Sequence, residues 1–332
     1  MSSSPSPSTC SVPVWVVGAG GLLGSALQRA LGAEAFQFAG PFTWQHSAVL
    51  AAELRAALGT FAERVARAPG RRWAIAWCAG LAVVGMDAQR LEAETSTLRT
   101  FLELLELEQG LDLASGMLLL ASSAGGVYGA SLAAPITETT PPEPSSAYGR
   151  EKLSQELLLS TWAARHGTQC FIARVANVYG PGQRLEKQQG LISHISRCSI
   201  YDVPVSLYVS LDTIRDYLYA DDWGRRAVAA LQRLASQPPA AQQVTKLFAS
   251  EREVSIATLF EIFRGFVSRP LRVAFTPNAT AEQQPARLQF RSRVWVPEAI
   301  EQLPLEDGIR RVYDHQCELF ALGRLPPPPK AP

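Results

Sequence analysis

The apolar run Val14-Trp15-Val16-Val17 leads straight into Gly18-Ala19-Gly20-Gly21-Leu22-Leu23-Gly24, and this junction restricts the fold more than any other stretch of the chain. The run reads as a buried strand, and a helical pattern follows from Ser25-Ala26-Leu27 to Leu31. Gly18 allows the tight strand-to-helix turn. Gly21 lets a pyrophosphate approach the backbone at the helix N-terminus, where free N–H groups and the helix dipole favour anions, and Gly24 lets helix and strand pack closely. The spacing predicts a dinucleotide site lined by Gly18, Gly21, Leu22, Leu23 and Gly24. Ala79 and Gly80, which follow a later strand, are expected to complete it.

The rest of the chain alternates in the same way. Expected strands are Val14–Val17, Phe36–Phe38, Trp73–Cys78, Met117–Ser122, Gln169–Arg174 and Val244–Phe248. The clearest helices are Arg90–Leu107 and Ala147–His166. This order predicts an α/β fold, a Rossmann-type doubly wound parallel sheet with the cofactor across its carboxyl edge. Beyond Gly180 the order turns irregular, with a strand at Val205–Val209, helices near Ser255–Val267 and Glu306–Leu322, and a strand near Arg272–Phe275. The expected organisation is a dinucleotide-binding domain over 13–180, its sheet completed by about 243–249, and a smaller C-terminal substrate-binding lobe over 181–323. The Ser/Pro-rich residues 1–12 and the Pro-rich residues 324–332 are expected to be disordered tails.

Composition narrows the class. With 332 residues and 47% hydrophobic content the chain can bury a large core. A net charge of +1 gives no reason to expect nucleic acid or an anionic membrane as partner. No apolar run approaches a membrane span, and the N-terminus lacks a signal-peptide core. Cys10, Cys78, Cys170, Cys198 and Cys317 are scattered without metal-ligand spacing and read as reduced thiols of a cytoplasmic protein. His46, His166, His194 and His315 show no metal pattern either.

The chemistry is expected further on, in Ala121-Ser122-Ser123-Ala124-Gly125-Gly126-Val127-Tyr128-Gly129 and in Tyr148-Gly149-Arg150-Glu151-Lys152. Tyr148 and Lys152 stand at i and i+4, so on a helix they share one face. An ammonium beside a phenol favours the phenolate, and such a tyrosine can take a proton from a sugar hydroxyl, or return it, while a hydride moves.

With Arg174-Val175-Ala176-Asn177-Val178-Tyr179-Gly180-Pro181-Gly182-Gln183 and the Arg215-Asp216-Tyr217 string ahead of Asp221-Asp222, these motifs fall in a familiar order. The chain resembles the extended short-chain dehydrogenase/reductases, in particular the NAD-dependent sugar-nucleotide epimerase/dehydratase group, over roughly Val14 to Val312. The resemblance implies Tyr148 and Lys152 as catalytic residues, both also touching the cofactor, and a catalytic hydroxyl from Ser123, with Ser122 second. Relatives commonly carry that hydroxyl four residues before Tyr128, where this chain has Ala124. The extra residue is expected to be absorbed as a bulge at Gly125-Gly126. Family 4,6-dehydratases carry Asp-Glu directly after this hydroxyl, and this chain has Ala124, Gly125 and Gly126 there. Dehydration is disfavoured, which leaves epimerisation or reduction.

After the second strand many relatives place an acid for the adenosine ribose. Here the stretch is Phe36-Gln37-Phe38-Ala39-Gly40-Pro41-Phe42, with neither acid nor cation. NAD is the expected cofactor, because nothing would hold a 2′-phosphate, and NADP stays open. The stretch is short, so one strand-helix excursion of larger relatives is expected to be missing. On the substrate side the resemblance implies a nucleotide-diphosphate sugar contacted by Asn177 and Arg215, with Arg287 as a second guanidinium fork and Lys187 lining the sugar pocket. Asp221 and Asp222 read as a helix N-cap pair.

Three functions stay open at this point: an epimerase, with carbon 4 expected; a keto-sugar or other carbonyl reductase; and a non-catalytic NAD(P)-binding regulator. The resemblance also implies a homodimer through the helices at Arg90–Leu107 and Ala147–His166. The stripe Leu98, Phe101, Leu102, Leu105 and the set Leu153, Leu157, Leu158 are candidates for that interface, although the first could equally be sheet-packing core.

Overall fold

The computed structural model describes residues 12–80, 86–185, 190–240, 242–275, 285–296 and 300–328. Strand β1, Val14–Val17, turns directly into helix α1, Leu22–Leu31. There follow β2 (Ala35–Phe36), α2 (Ser47–Ala66), β3 (Trp73–Trp77), α3 (Ala88–Leu107), β4 (Gly116–Ser123), the single turn α4 (Ala124–Val127), α5 (Ala147–His166) and β5 (Gln169–Val175). The remainder comprises β6 (Asn177–Tyr179), α6 (Leu191–Tyr201), β7 (Val205–Leu207), β8 (Ile214–Arg215), β9 (Tyr217–Tyr219), α7 (Ala220–Ala235), β10 (Gln243–Phe248), β11 (Val254–Ser255), α8 (Ile256–Arg264), β12 (Val273–Phe275) and α9 (Leu305–Ala321).

The central sheet is parallel throughout, in the order β10-β5-β4-β3-β1-β2. The chain leaves β1 in one direction to β2 and in the other to β3, so the strand order reverses between β1 and β3, the crevice where doubly wound sheets bind ligands. Both faces are covered, which is why β1 is apolar without alternation. Trp15 and Val17 enter one core with α2, α3 and α5, while Val14 and Val16 enter the other with α1 and α7. The second layer is drawn tight at Gly224, where a Cβ would lie 2.4 Å from the Ala26 carbonyl oxygen, and Arg29 meets Asp221 across it at 2.6 Å.

Several boundaries differ from expectation for local reasons. The second strand ends at Phe36, and Phe38 beyond it packs its ring against Phe42, centroids 5.6 Å apart. It forms the sheet edge, and the chain passes from it through α2 to β3 on the other side of β1. Helix α3 starts at Ala88, where the Asp87 carboxylate accepts the Arg90 amide at 2.9 Å. Asp221 and Asp222 are not caps. Tyr219 occupies the cap position, and the two acids sit in the first turn of α7, where carboxylates complement the helix dipole. Val12 and Leu325, both assigned to tails on composition, are buried, and the Tyr201 hydroxyl donates to the Leu325 carbonyl at 2.6 Å. Residues 1–11 and 329–332 lie outside the described residues.

Beyond β5 the described residues build three two-stranded ladders, β6-β9, β8-β11 and β7-β12, around a separate apolar cluster from α6, α8 and α9. Residues 285–296 cross between the two regions. Ala286 accepts from the Ile214 amide at 2.9 Å, and Gln289 and Arg291 bracket Ile136 at 2.8 and 2.9 Å. Among the described residues no helix is long and apolar enough to cross a membrane.

Candidate active site

The glycine-rich turn leaves little room for side chains. Gly18 has φ +89°, and a Cβ there would lie 2.4 Å from the Ala79 amide nitrogen. At Gly24 a Cβ would lie 2.3 Å from the Gly18 carbonyl oxygen. Gly21 differs: its nearest neighbour to a Cβ is 3.5 Å away, so its bare backbone serves approach from outside rather than internal packing. The first helical bond of α1 runs from the Ser25 amide to the Gly21 carbonyl at 2.9 Å. The amides of Leu22, Leu23 and Gly24 therefore have no helical acceptor, and a pyrophosphate fits them. Gly80 borders the same edge at the end of β3, against Glu94.

Sequence reasoning missed Arg184 here. A Cβ at Gly20 would lie 3.5 Å from its Nη2, so an exposed guanidinium reaches over the glycine turn from the segment after β6. Its only sequence signal is position, one residue past Gln183 in the Asn177 motif.

The second turn follows β4, two strands from β1 with β3 between them. Ser123 closes β4, and its Oγ accepts the Gly126 amide at 3.1 Å, which starts the helical turn α4. The expected bulge is absent: the inserted residue is taken up by this capped turn, since a serine hydroxyl supplies the acceptor a helix start needs. Tyr148 in the first turn of α5 packs on the same spot. A Cβ at Gly126 would lie 2.9 Å from Tyr148 Cε1 and 3.2 Å from Ser123 Oγ, so both groups converge there. Gly149 makes the approach possible, because a Cβ on it would lie 2.0 Å from the Gly126 carbonyl oxygen. Helix α5 itself starts where expected, with the Ser146 hydroxyl accepting the Gly149 amide at 3.1 Å.

Lys152 is buried on the same helical face, its Nζ 6.0 Å from the centre of the Tyr148 ring and donating to Gln155 Oε1 at 3.0 Å. Gln155, three residues on, also escaped sequence reasoning. Nearby Cys78 has its thiol pushed up to about 12 by burial, against the opposing pull of Lys152, so it stays protonated. Ser122 points elsewhere. It is buried and donates to Glu156 Oε1 at 2.5 Å, which leaves Ser123 as the hydroxyl facing Tyr148.

On the other side of the cleft, the Asn177 amide group donates to the Asp216 carbonyl at 3.0 Å and ties β6 to β9. Arg215 in β8 is part-buried, donates to the Ile214 carbonyl at 2.8 Å, and is pulled below the usual guanidinium range by that burial. Arg287 does not join it. Its backbone pairs with Ile214, and its side chain forks onto Glu253 at 2.6 and 2.8 Å, which raises the guanidinium and lowers the carboxyl. Bridge partners share a face and neighbours in a strand oppose, so Arg287 lies opposite Arg215. Lys187 lies outside the described residues. Leu98, Phe101, Leu102 and Leu105 are core, each no more than 2% exposed, whereas Leu157 on α5 is 67% exposed.

Comparison with known proteins bears on the family and the fold. The model of the NAD dependent epimerase/dehydratase family matches residues 14–243. A dTDP-L-rhamnose 4-epimerase of Burkholderia thailandensis is 37% identical over 97 residues, 29% of this chain and 27% of that protein. A UDP-glucose 4-epimerase of Mycolicibacterium smegmatis is 27% identical over 197 residues, 58% of this chain and 60% of that protein. Both matches span less than two thirds of the relative's length. The fold is similar to that of UDP-glucuronic acid 4-epimerase from Bacillus cereus in complex with UDP-glucuronic acid and NAD, with a TM-score of 0.71 and 21% identity over 92% of this chain and 99% of that one.

Proposed function

The chain belongs to the NAD-dependent epimerase/dehydratase family, and from that premise we propose that it is an enzyme that inverts a carbinol carbon, carbon 4, of a nucleotide-diphosphate sugar with NAD as resident cofactor. The observation that carries this reading is the convergence of Ser123 Oγ and the Tyr148 ring on Gly126, at the same carboxyl edge of the parallel sheet as a turn that fits a pyrophosphate. The activities of the two epimerase relatives support the substrate class.

Bound NAD supplies a reversible hydride acceptor. Tyr148 takes the proton of the sugar hydroxyl and later returns it. Lys152 supplies positive charge beside the phenol, and Ser123 hydrogen-bonds the reacting oxygen as it becomes a carbonyl. Arg215 and Asn177 hold the diphosphate, so the keto sugar can turn its other face to the cofactor without leaving. Ala124, Gly125 and Gly126 offer neither acid nor base for loss of water. Residues 13–180 with 243–249 serve as the cofactor domain, and 181–323 mainly as the substrate lobe. The free thiols at Cys78, Cys170, Cys198 and Cys317 favour a cytoplasmic protein. Exposed Leu157 supports a homodimer along α5.

Purified protein is incubated with UDP- and dTDP-hexoses and no added coenzyme. The account expects each substrate to reach an equilibrium of two epimers. Net, stoichiometric oxidation of added NADH or NADPH identifies a keto-sugar reductase instead.

A further inference from the structure

The conspicuous Tyr128 and Arg174, which belong to the site's motifs, have no part in the chemistry above. Both belong to one buried network. Glu156 on α5 takes the Arg174 guanidinium from β5, Nε lying 3.1 and 3.2 Å from its two oxygens and Nη2 2.6 Å from Oε2. The same carboxylate accepts the Ser122 hydroxyl at 2.5 Å. Arg174 Nη1 donates to the Tyr128 hydroxyl, which itself donates to the Thr137 carbonyl at 3.2 Å. Ser122, Tyr128, Glu156 and Arg174 are each no more than 7% exposed.

Placement gives this network its meaning. Ser122 and Tyr128 are the two ends of the segment that contains Ser123 and α4, and the ion pair grips both. Successive side chains leave a strand on opposite faces, so fixing Ser122 on Glu156 sets the direction of Ser123. Glu156 stands four residues beyond Lys152 and eight beyond Tyr148, so the same carboxylate sets the roll of α5. Stability alone does not call for such a group, because a buried ion pair loses its hydration, and apolar residues of similar volume often stabilise as well or better. We propose that the Glu156–Arg174 pair is a positioning device, which holds the 122–128 segment and α5 in the one relation that aims Ser123 and Tyr148 at a single substrate oxygen. The proposal rests on the reading of those two residues as catalytic.

The test replaces both charges together, as Glu156→Leu with Arg174→Met in the full chain. We expect a melting temperature equal to or above that of the unaltered protein, and NAD and nucleotide-sugar affinities within about twofold. We expect kcat to fall by about ten- to a hundredfold at nearly constant KM, as a small misplacement of reacting groups produces. In a Ser123→Ala background the pair of changes should cost less than in the unaltered protein, since only the Tyr148 hydroxyl is left to aim. A folded double variant with unchanged kcat, or a full multiplicative loss in the Ser123→Ala background, overturns the proposal. If the double variant does not fold, Tyr128→Phe, which releases one grip, is put to the same kcat-against-KM and background comparison. If the unaltered protein turns over no nucleotide sugar, the function proposed above fails by itself. Hydrogen exchange at the Gly126 amide, the donor to Ser123, then decides: faster exchange in the variant supports the device, and unchanged exchange overturns it.

Discussion

The two turns that face the cleft are built by opposite means. The turn between β1 and α1 is made of backbone: Gly18 and Gly24 stand where a Cβ would collide with main-chain atoms, at 2.4 and 2.3 Å. The turn after β4 is made of side chains, with Ser123 capping Gly126 and Ser122, Tyr128, Glu156 and Arg174 locked beneath it. A backbone turn announces itself in sequence, because few residues other than glycine can occupy it. A side-chain turn is assembled from residues far apart in the chain, each ordinary where it stands.

The difference predicts different responses to substitution. Adding atoms to the first turn should damage the fold itself. Gly24→Val sets side-chain carbon against the Gly18 carbonyl, and overpacking of this kind costs about 3 kcal/mol or more. Denaturant unfolding should register that loss together with loss of the NAD-dependent rise in melting temperature. A Gly24→Val protein that keeps both would break the comparison.

Removing atoms on the substrate side should spare the fold and cost binding. On the proposed function, Arg215→Ala deletes a charge-assisted contact to a diphosphate, which should cost about 1.5–3 kcal/mol, or roughly ten- to a hundredfold in affinity for UDP or dTDP. Thermal shift should lose most of the nucleotide effect while the NAD effect persists. Loss of both would mean that Arg215 supports the fold rather than the ligand.

A smaller effect concerns Asp216, between Arg215 and β9. It is 2% exposed, its Oδ1 accepts the Ser250 amide at 2.7 Å, and Oδ2 has no partner among the described residues. Burial pushes its carboxyl up to about 6 from the ordinary 3.8. Between those values the folded chain holds a proton that the unfolded chain has released. Its contribution is therefore most favourable below pH 4, declines as pH rises to about 6, and then stays level. Asp216→Asn should abolish that decline, which unfolding curves of both proteins between pH 4 and 8 will register. Parallel pH profiles would contradict it.

Legibility in the sequence follows the same division. The glycine turn, the parallel sheet and the full extent of α5 could be read because period, cap and glycine spacing agree locally. A turn after Ser123 was readable as well, although a capped helical turn replaced the expected bulge. The two-residue strands β8 and β11 could not be read, since their pairing is decided by contacts between distant segments rather than by any local pattern. The Leu98–Leu105 stripe shows the limit of periodicity: it marks an apolar face without saying whether sheet or partner covers it. Glu156 had a signal, its place on the Tyr148–Lys152 face, but a buried charge is recognised only when its partner on β5 is seen.

The central claim, that hydride leaves and returns to the same sugar carbon within one bound complex, is tested most directly with substrate deuterated at carbon 4. The account predicts that, without added coenzyme, both epimers at equilibrium retain the label and none passes to water. Loss of deuterium to solvent, or turnover that strictly requires added NADH or NADPH, would contradict it.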